Sequence, residues 1–139
     1  MDNLNKEHRR KNMQNIRSKN TIPELLLMNE LKRQKIYFAK HVDKLFGKPD
    51  IVFRRKKLAV FIDSDFWHYN PKNFIMPSTN VEYWEKKIQR NRERDKLVNR
   101  TLKKEGWRVI RFWESDIKSN VNKIVNKILK CLNIILINI

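Results

Sequence analysis

At 139 residues the chain is long enough for one domain with one core, and a composition that is 40% hydrophobic and 10% aromatic excludes intrinsic disorder. Thirty-two Lys and Arg against fifteen Asp and Glu give a formal charge of +17, which repels itself unless a polyanion screens it, so nucleic acid is the expected partner. The cations are spread along the chain instead of gathering on one amphipathic helix with Trp or Leu opposite, which argues against a membrane-surface protein.

Residues 1–20 ("KEHRRKNMQNIRSKN" within them) are polar and basic without a convincing apolar face, and read as a mobile or DNA-wrapped arm. A helix is expected from Thr21 to about Arg33: Thr21 caps it, Pro23 suits its first turn, Glu24 stands three after the cap, and Leu27, Met28 and Leu31 form a stripe. Ile36 to Val42 reads as a strand, and Gly47 and Pro49 turn the chain into the next one. Ile51–Phe53 and Leu58–Ile62 form a hairpin joined by "RRKK"; no Gly or Asn marks a tight turn, so the loop exceeds two residues.

Pro71 and Pro77 break the loop that follows, and a long helix then runs from Val81 to Lys104, with Val81, Trp84, Ile88, Val98 and Leu102 at helical spacing. Gly106 ends it, "WRVIRFW" is a further strand, and "NVNKIVNKILKCL" closes as a helix with Val121, Ile124, Val125, Ile128 and Leu132 on one face. The tail "CLNIILINI" is shorter than the roughly 20 residues that span a bilayer, so it packs on the core or a partner. One cysteine, Cys131, allows no internal disulfide, and without an apolar leader at the start the expected compartment is reducing, the cytoplasm.

The hairpin carries the first chemical signal. With its turn near Arg55 to Lys57, Asp50 lies opposite Phe61 or Asp63 and on the same face as both, so two carboxylates converge among apolar residues. Like charges there repel unless a proton, a cation or a basic side chain intervenes. A hard divalent metal with oxygen ligands resolves the conflict, and a phosphodiester supplies further oxygens. The plain alternative is a set of strand-end carboxylates, each paired with a Lys or Arg.

Asp95 falls in line with the apolar stripe of the long helix, seven after Ile88 and three before Val98. An inward carboxylate must be paired, either with Arg92, Arg94 or Arg111, or with His68, whose tautomer it would fix. Glu24 is explained by a capping box with Thr21, yet from a first turn it also reaches a metal-bound water. His68 follows Asp63 by five residues, where the chain leaves the sheet, and His8 and His41 have no such company. Phe66, Trp67 and Trp84 are either core residues or, beside an acidic site ringed by cations, wedges between bases.

"NIRSKNTIPE", "GKPDIVF", "AVFIDSDFWH", "VEYWEKKIQRNRERD" and "GWRVIRFWE" resemble, in order and spacing, the very short patch repair (Vsr) endonucleases, from about Asn12 to Glu114. The resemblance implies an α/β fold of the PD-(D/E)xK, restriction-endonuclease-like kind, a mixed sheet flanked by helices. A related group of phage-type homing endonucleases carries the pattern E, D, x, H, D, which falls here on Glu24, Asp50, Asp63, His68 and Asp95. By resemblance, Asp50 and the Ile62 carbonyl bind Mg²⁺, His68 is the general base, Asp95 supports it, and Glu24 holds metal-bound water. Phe66, Trp67 and Trp84 match intercalating aromatics.

Two departures stand out. Mismatch-repair members carry Thr-His where this chain has Ile62 and Asp63, and a further acidic ligand at Asp63 implies one or two Mg²⁺ ions. Their structural zinc uses Cys and His at places that here read Asp65, Asn70, Lys72 and Ser115, so no zinc is expected. The expectation is a Mg²⁺-dependent endonuclease on double-stranded DNA leaving a 5′-phosphate, with Lys86, Lys87 and Arg94 assisting at the phosphate. Mismatch nicking and homing or site-specific cutting both fit, as do a monomer and a homodimer. The competitor of another class is a non-catalytic basic DNA-binding module with a degenerate nuclease site.

Overall fold

The computed structural model describes residues 21–133; the basic arm 1–20 and the tail beyond 133 lie outside the described residues. Helix α1 (Ile22–Arg33) begins where Thr21 Oγ1 accepts the Glu24 N–H at 3.4 Å, and it buries Leu27, Met28 and Leu31 on one side. Strand β1 (Ala39–Lys40) is far shorter than the expected Ile36–Val42. His41 adopts φ 49°, a left-handed conformation that ends extended pairing, although its N–H still donates to the Asp50 carbonyl at 3.0 Å.

Strand β2 (Ile51–Phe53) pairs antiparallel with β1 and with β3 (Leu58–Asp63), joined to the latter by a four-residue loop in which Lys57 takes φ 48°. Ile51 faces Val60 and Phe53 faces Leu58. Continued by one step, that register sets Asp50 opposite Phe61, as the apolar runs require. Helix α2 (Val81–Lys104) then crosses over to β4 (Arg108–Trp113), which runs parallel to β3 with Phe61 beside Arg111 and Asp63 beside Trp113. The sheet order is β1-β2-β3-β4. Short α3 (Glu114–Ser119), which buries Ile117 and was not expected, then precedes α4 (Val121–Cys131), the expected closing helix.

Side chains alternate across the strands. Ile51, Phe53, Leu58, Val60 and Phe112 face α1, α3 and α4, while Ala59 and Phe61 face Val98 and Leu102 of α2. The result is an α/β fold with a mixed sheet flanked by helices on both faces, as expected. On the α2 stripe only Val98 and Leu102 join the sheet-facing cluster, whereas Val81 is exposed and Trp84 is half-buried against other aromatic rings. Leu132, at the start of the apolar tail, is buried in the core. No helix among the described residues is long and apolar enough to cross a membrane.

One turn ties the hairpin to α2. Gly47 has φ +80°, and a Cβ built on it would stand 2.4 Å from Val98 Cγ1. Gly47→Ala therefore combines left-handed strain with overpacking, and a loss of about 2–4 kcal/mol is expected. Thermal denaturation checks it: an unchanged midpoint would show that the turn and α2 separate freely.

Candidate active site

The ends of β2 and β3, the start of α1 and the middle of α2 surround a cleft of about 700 Å³, and Glu24, Asp50, Ile62, Asp63, His68 and Asp95 all line it. They do not form one five-membered cluster. Donor atoms of Glu24, His41 and Asp50 lie within 4.8 Å of one another, and those of Asp63, His68 and Asp95 form a second such group.

In the first group, the Ile62 N–H donates to Asp50 Oδ2 at 2.7 Å, and His41 Nε2 meets Glu24 Oε2 at 2.9 Å. Glu24 is 3% exposed, so its carboxylate is a buried feature in addition to any role in the cap. Burial pushes the Asp50 carboxyl up to about 7; the charges of Glu24 and Asp63 add to this, and the Ile62 hydrogen bond works against it. His41 was passed over in the sequence. The signal that would have found it is strand register: with Ala39 opposite Val52, two further steps put His41 opposite Asp50.

In the second group, His68 Nδ1 makes a very short hydrogen bond to Asp95 Oδ2 and stands 3.9 Å from Asp63 Oδ1. An ionised carboxylate only accepts, so Nδ1 carries the proton and Nε2 is left as the acceptor. Burial opposes a charge on His68, but the Asp95 hydrogen bond and the Asp63 charge outweigh it and hold the imidazole above its usual 6.5. Burial likewise raises the Asp63 carboxyl, partly countered by Arg111. Arg111 Nη1 lies 2.9 Å from Asp63 Oδ1 and 3.6 Å from Asp95 Oδ1, so both readings of Asp95, the ion pair and the histidine partner, are present together.

His68 hangs from a tight segment after β3 in which the His68 N–H donates to the Ser64 carbonyl at 3.2 Å. The segment is closed by a polar clasp. Asp65 Oδ1 accepts from Asn70 Nδ2 at 2.9 Å and from Ser115 Oγ at 3.0 Å, Asn70 Oδ1 accepts the Lys72 N–H at 3.1 Å, and Asn70 is 2% exposed. The clasp fastens the His68 segment to the first turn of α3, just past the end of β4.

Beside the cleft, Phe66, Trp67 and Trp84 form a half-buried aromatic cluster, with ring centroids 4.9 to 5.7 Å apart. Lys87 Nζ sits 4.8 Å over the Trp67 ring, and Asn91 Nδ2 donates to the Trp67 carbonyl at 3.2 Å. Lys87 and Arg94 line the cleft, whereas Lys86 points outward onto Glu82 at 3.2 Å.

Comparison with known proteins now bears on this site. The family model described as DNA mismatch endonuclease Vsr matches residues 1–73, and the type II nicking enzyme V.NmeDIP of Neisseria meningitidis serogroup C is 40% identical over 130 residues, 92% of this chain and 88% of that protein. The chain belongs to the Vsr endonuclease family. Another Vsr relative, the type II nicking enzyme V.NaeI of Lentzea aerocolonigenes, is 43% identical over 113 residues, covering 78% of this chain and 68% of its own. The DNA mismatch endonuclease Vsr of Escherichia coli is 34% identical over 114 residues, 81% of this chain and 73% of its own. Vsr membership and two groups that could hold a divalent cation, one of them containing the His68–Asp95 pair, support the cleft's catalytic potential.

Proposed function

We propose that this protein is a Mg²⁺-dependent endonuclease that nicks double-stranded DNA at a base mismatch and leaves a 5′-phosphate. One observation carries the reading: a His68–Asp95 pair and a half-buried Asp50 beside the buried Glu24 open into the same cleft, flanked by aromatic rings. The donor set fits the ion. Asp50 and Glu24 offer hard oxygens, and a carboxyl pushed up to about 7 by burial and by like charges is relieved by a cation. Asp50, with the Ile62 carbonyl and Glu24 beside it, would hold Mg²⁺. Bound there, the ion supplies Lewis-acid stabilisation of the charge that builds on the phosphate and lowers the pKa of the attacking water.

The protein's own side chains do the rest. His68 takes the water proton at Nε2, while Asp95 fixes the ring and stabilises the imidazolium that results. Lys87 and Arg94 on the cleft wall, with Lys86 nearby, draw the phosphate backbone in, and their contribution weakens as salt rises. Phe66, Trp67 and Trp84 serve as the wedge, which unstacks most readily at a mispaired step.

A second reading has its own support. Asp63 stands where mismatch-repair members carry His and falls on the unrestricted position of the homing-endonuclease pattern, so cutting of a defined site is the second reading. Incubating a T:G heteroduplex and its fully paired counterpart with Mg²⁺ or EDTA separates the two. Mismatch nicking predicts a strand break only in the heteroduplex and only with Mg²⁺. Equal cutting of both duplexes at one site would favour the homing reading, and salt-dependent binding without any break would leave the non-catalytic module.

A further inference from the structure

Arg111 is the most heavily engaged cation in the cleft, and nothing in the proposed reaction uses it. Besides Asp63 and Asp95 it reaches Asn99, whose Oδ1 accepts from Arg111 Nε at 2.9 Å, and its guanidinium lies 4.2 Å from the centroid of Phe61. These partners come from two elements, β3 (Phe61, Asp63) and α2 (Asp95, Asn99), and Arg111 on β4 joins them. The parallel register sets Phe61 beside Arg111, so Asp63, two residues on, is a same-face diagonal neighbour. On α2, Asp95 and Asn99 are one helical turn apart and present to the same side. A planar fork on an aromatic face with this many acceptors is a use of arginine that a lysine point charge does not reproduce.

Burial makes this pairing consequential. Asp63 is 6% exposed and its side chain has Arg111 at contact distance, so its charge is already answered from within the protein. We propose that Arg111 is the site's built-in second cation: it withholds Asp63 from the metal, so the cleft takes a single divalent ion, at Asp50. A second dication at Asp63 would have to displace the guanidinium or sit against it in a low-dielectric pocket, where like charges repel strongly. Arg111 thus holds the His68–Asp95–Asp63 group close to neutral without an ion, as a positioning residue acting through Asp63 and Asp95.

The inference rests on the nuclease reading for its purpose, but its test does not depend on cleavage. Mn²⁺ prefers the same oxygen donors and is counted by electron paramagnetic resonance on the full chain. Wild type should bind one Mn²⁺, and Asp50→Asn none. Arg111→Met should bind two, because Asp63 is set free, and Arg111→Met with Asp63→Asn should return to one. Should Arg111→Met fail to fold, Asp63→Asn alone decides, since it should leave one ion bound with affinity within about threefold of wild type, under 0.7 kcal/mol. Zero or two ions on wild type, one ion on a folded Arg111→Met, or loss of an ion in Asp63→Asn would overturn the proposal. A wild type that binds one Mn²⁺ yet cuts no DNA upholds it and defeats the nuclease reading instead; a wild type that cuts DNA with two ions bound defeats this proposal alone.

Discussion

Asp50→Asn is expected to abolish the proposed Mg²⁺-dependent nicking and to stabilise the metal-free protein at alkaline pH. The loss of activity is expected to reach at least about 10³-fold, since the ion's electrostatic contribution is several kcal/mol and each 1.36 kcal/mol is tenfold in rate. The gain in stability follows from the raised carboxyl. Between its ordinary 3.8 and about 7, the folded state holds the Asp50 proton and the unfolded state does not, so stability from this group falls as pH rises through that window and is gone above about 7. Burial is the main cause, and asparagine keeps an oxygen for the Ile62 N–H without the charge. At about 1.4 kcal/mol per unit, the difference between mutant and wild type at pH 8 is at most roughly 4 kcal/mol. Urea denaturation in EDTA at pH 5 and pH 8 measures it, and comparing the two proteins cancels the parallel contribution of Asp63. Added Mg²⁺ should then stabilise wild type at pH 8 and leave Asp50→Asn unmoved. A mutant less stable than wild type at pH 8 would mean that Asp50 is not a strained charge.

The features legible in the sequence are those that a short-range pattern determines. Two apolar runs and a cationic loop pin the β2–β3 register, and that register alone aligns Asp50, Phe61 and Asp63 on one face. The 3.6-residue period of α2 put Asp95 in line with Val98, which is buried against the sheet. What escaped depends on pairings between distant segments. His41 gains its meaning only once β1 is docked on β2, across a turn held by Gly47, and no local pattern encodes that docking. Arg111 was legible as a partner for Asp95, but its closer partner is Asp63, which only the parallel pairing of β3 with β4 brings near. Periodicity also marks which side of a helix is apolar and not what that side packs against. On the α2 stripe Val81 is exposed and Trp84 meets other aromatic rings in place of the core.

His68→Ala should lower the nicking rate by about 10²–10⁴-fold, the range that a positioned general base contributes. Asp95→Asn should cost less, about 10- to 100-fold, because it removes the group that orients and charges the base and leaves the base itself. The two losses should not add. Asp95 acts through His68, so the double variant should be no slower than His68→Ala alone, and full additivity would show that Asp95 works elsewhere, for instance through Arg111. The pH profile supplies a readout that mere loosening of the fold would not move. Burial by itself pulls the His68 pKa down, and the Asp95 hydrogen bond with the Asp63 charge reverses this and holds it above 6.5. A general base works when deprotonated, so the wild-type rate should climb with pH as His68 loses its proton. With Asp95→Asn the carboxylate hydrogen bond that helped raise the imidazole is gone while the Asp63 charge stays, and the climb should move to lower pH even as the plateau drops. A lowered plateau with the climb in its wild-type place would assign the titration to a group other than His68 and remove the imidazole from the proton transfer.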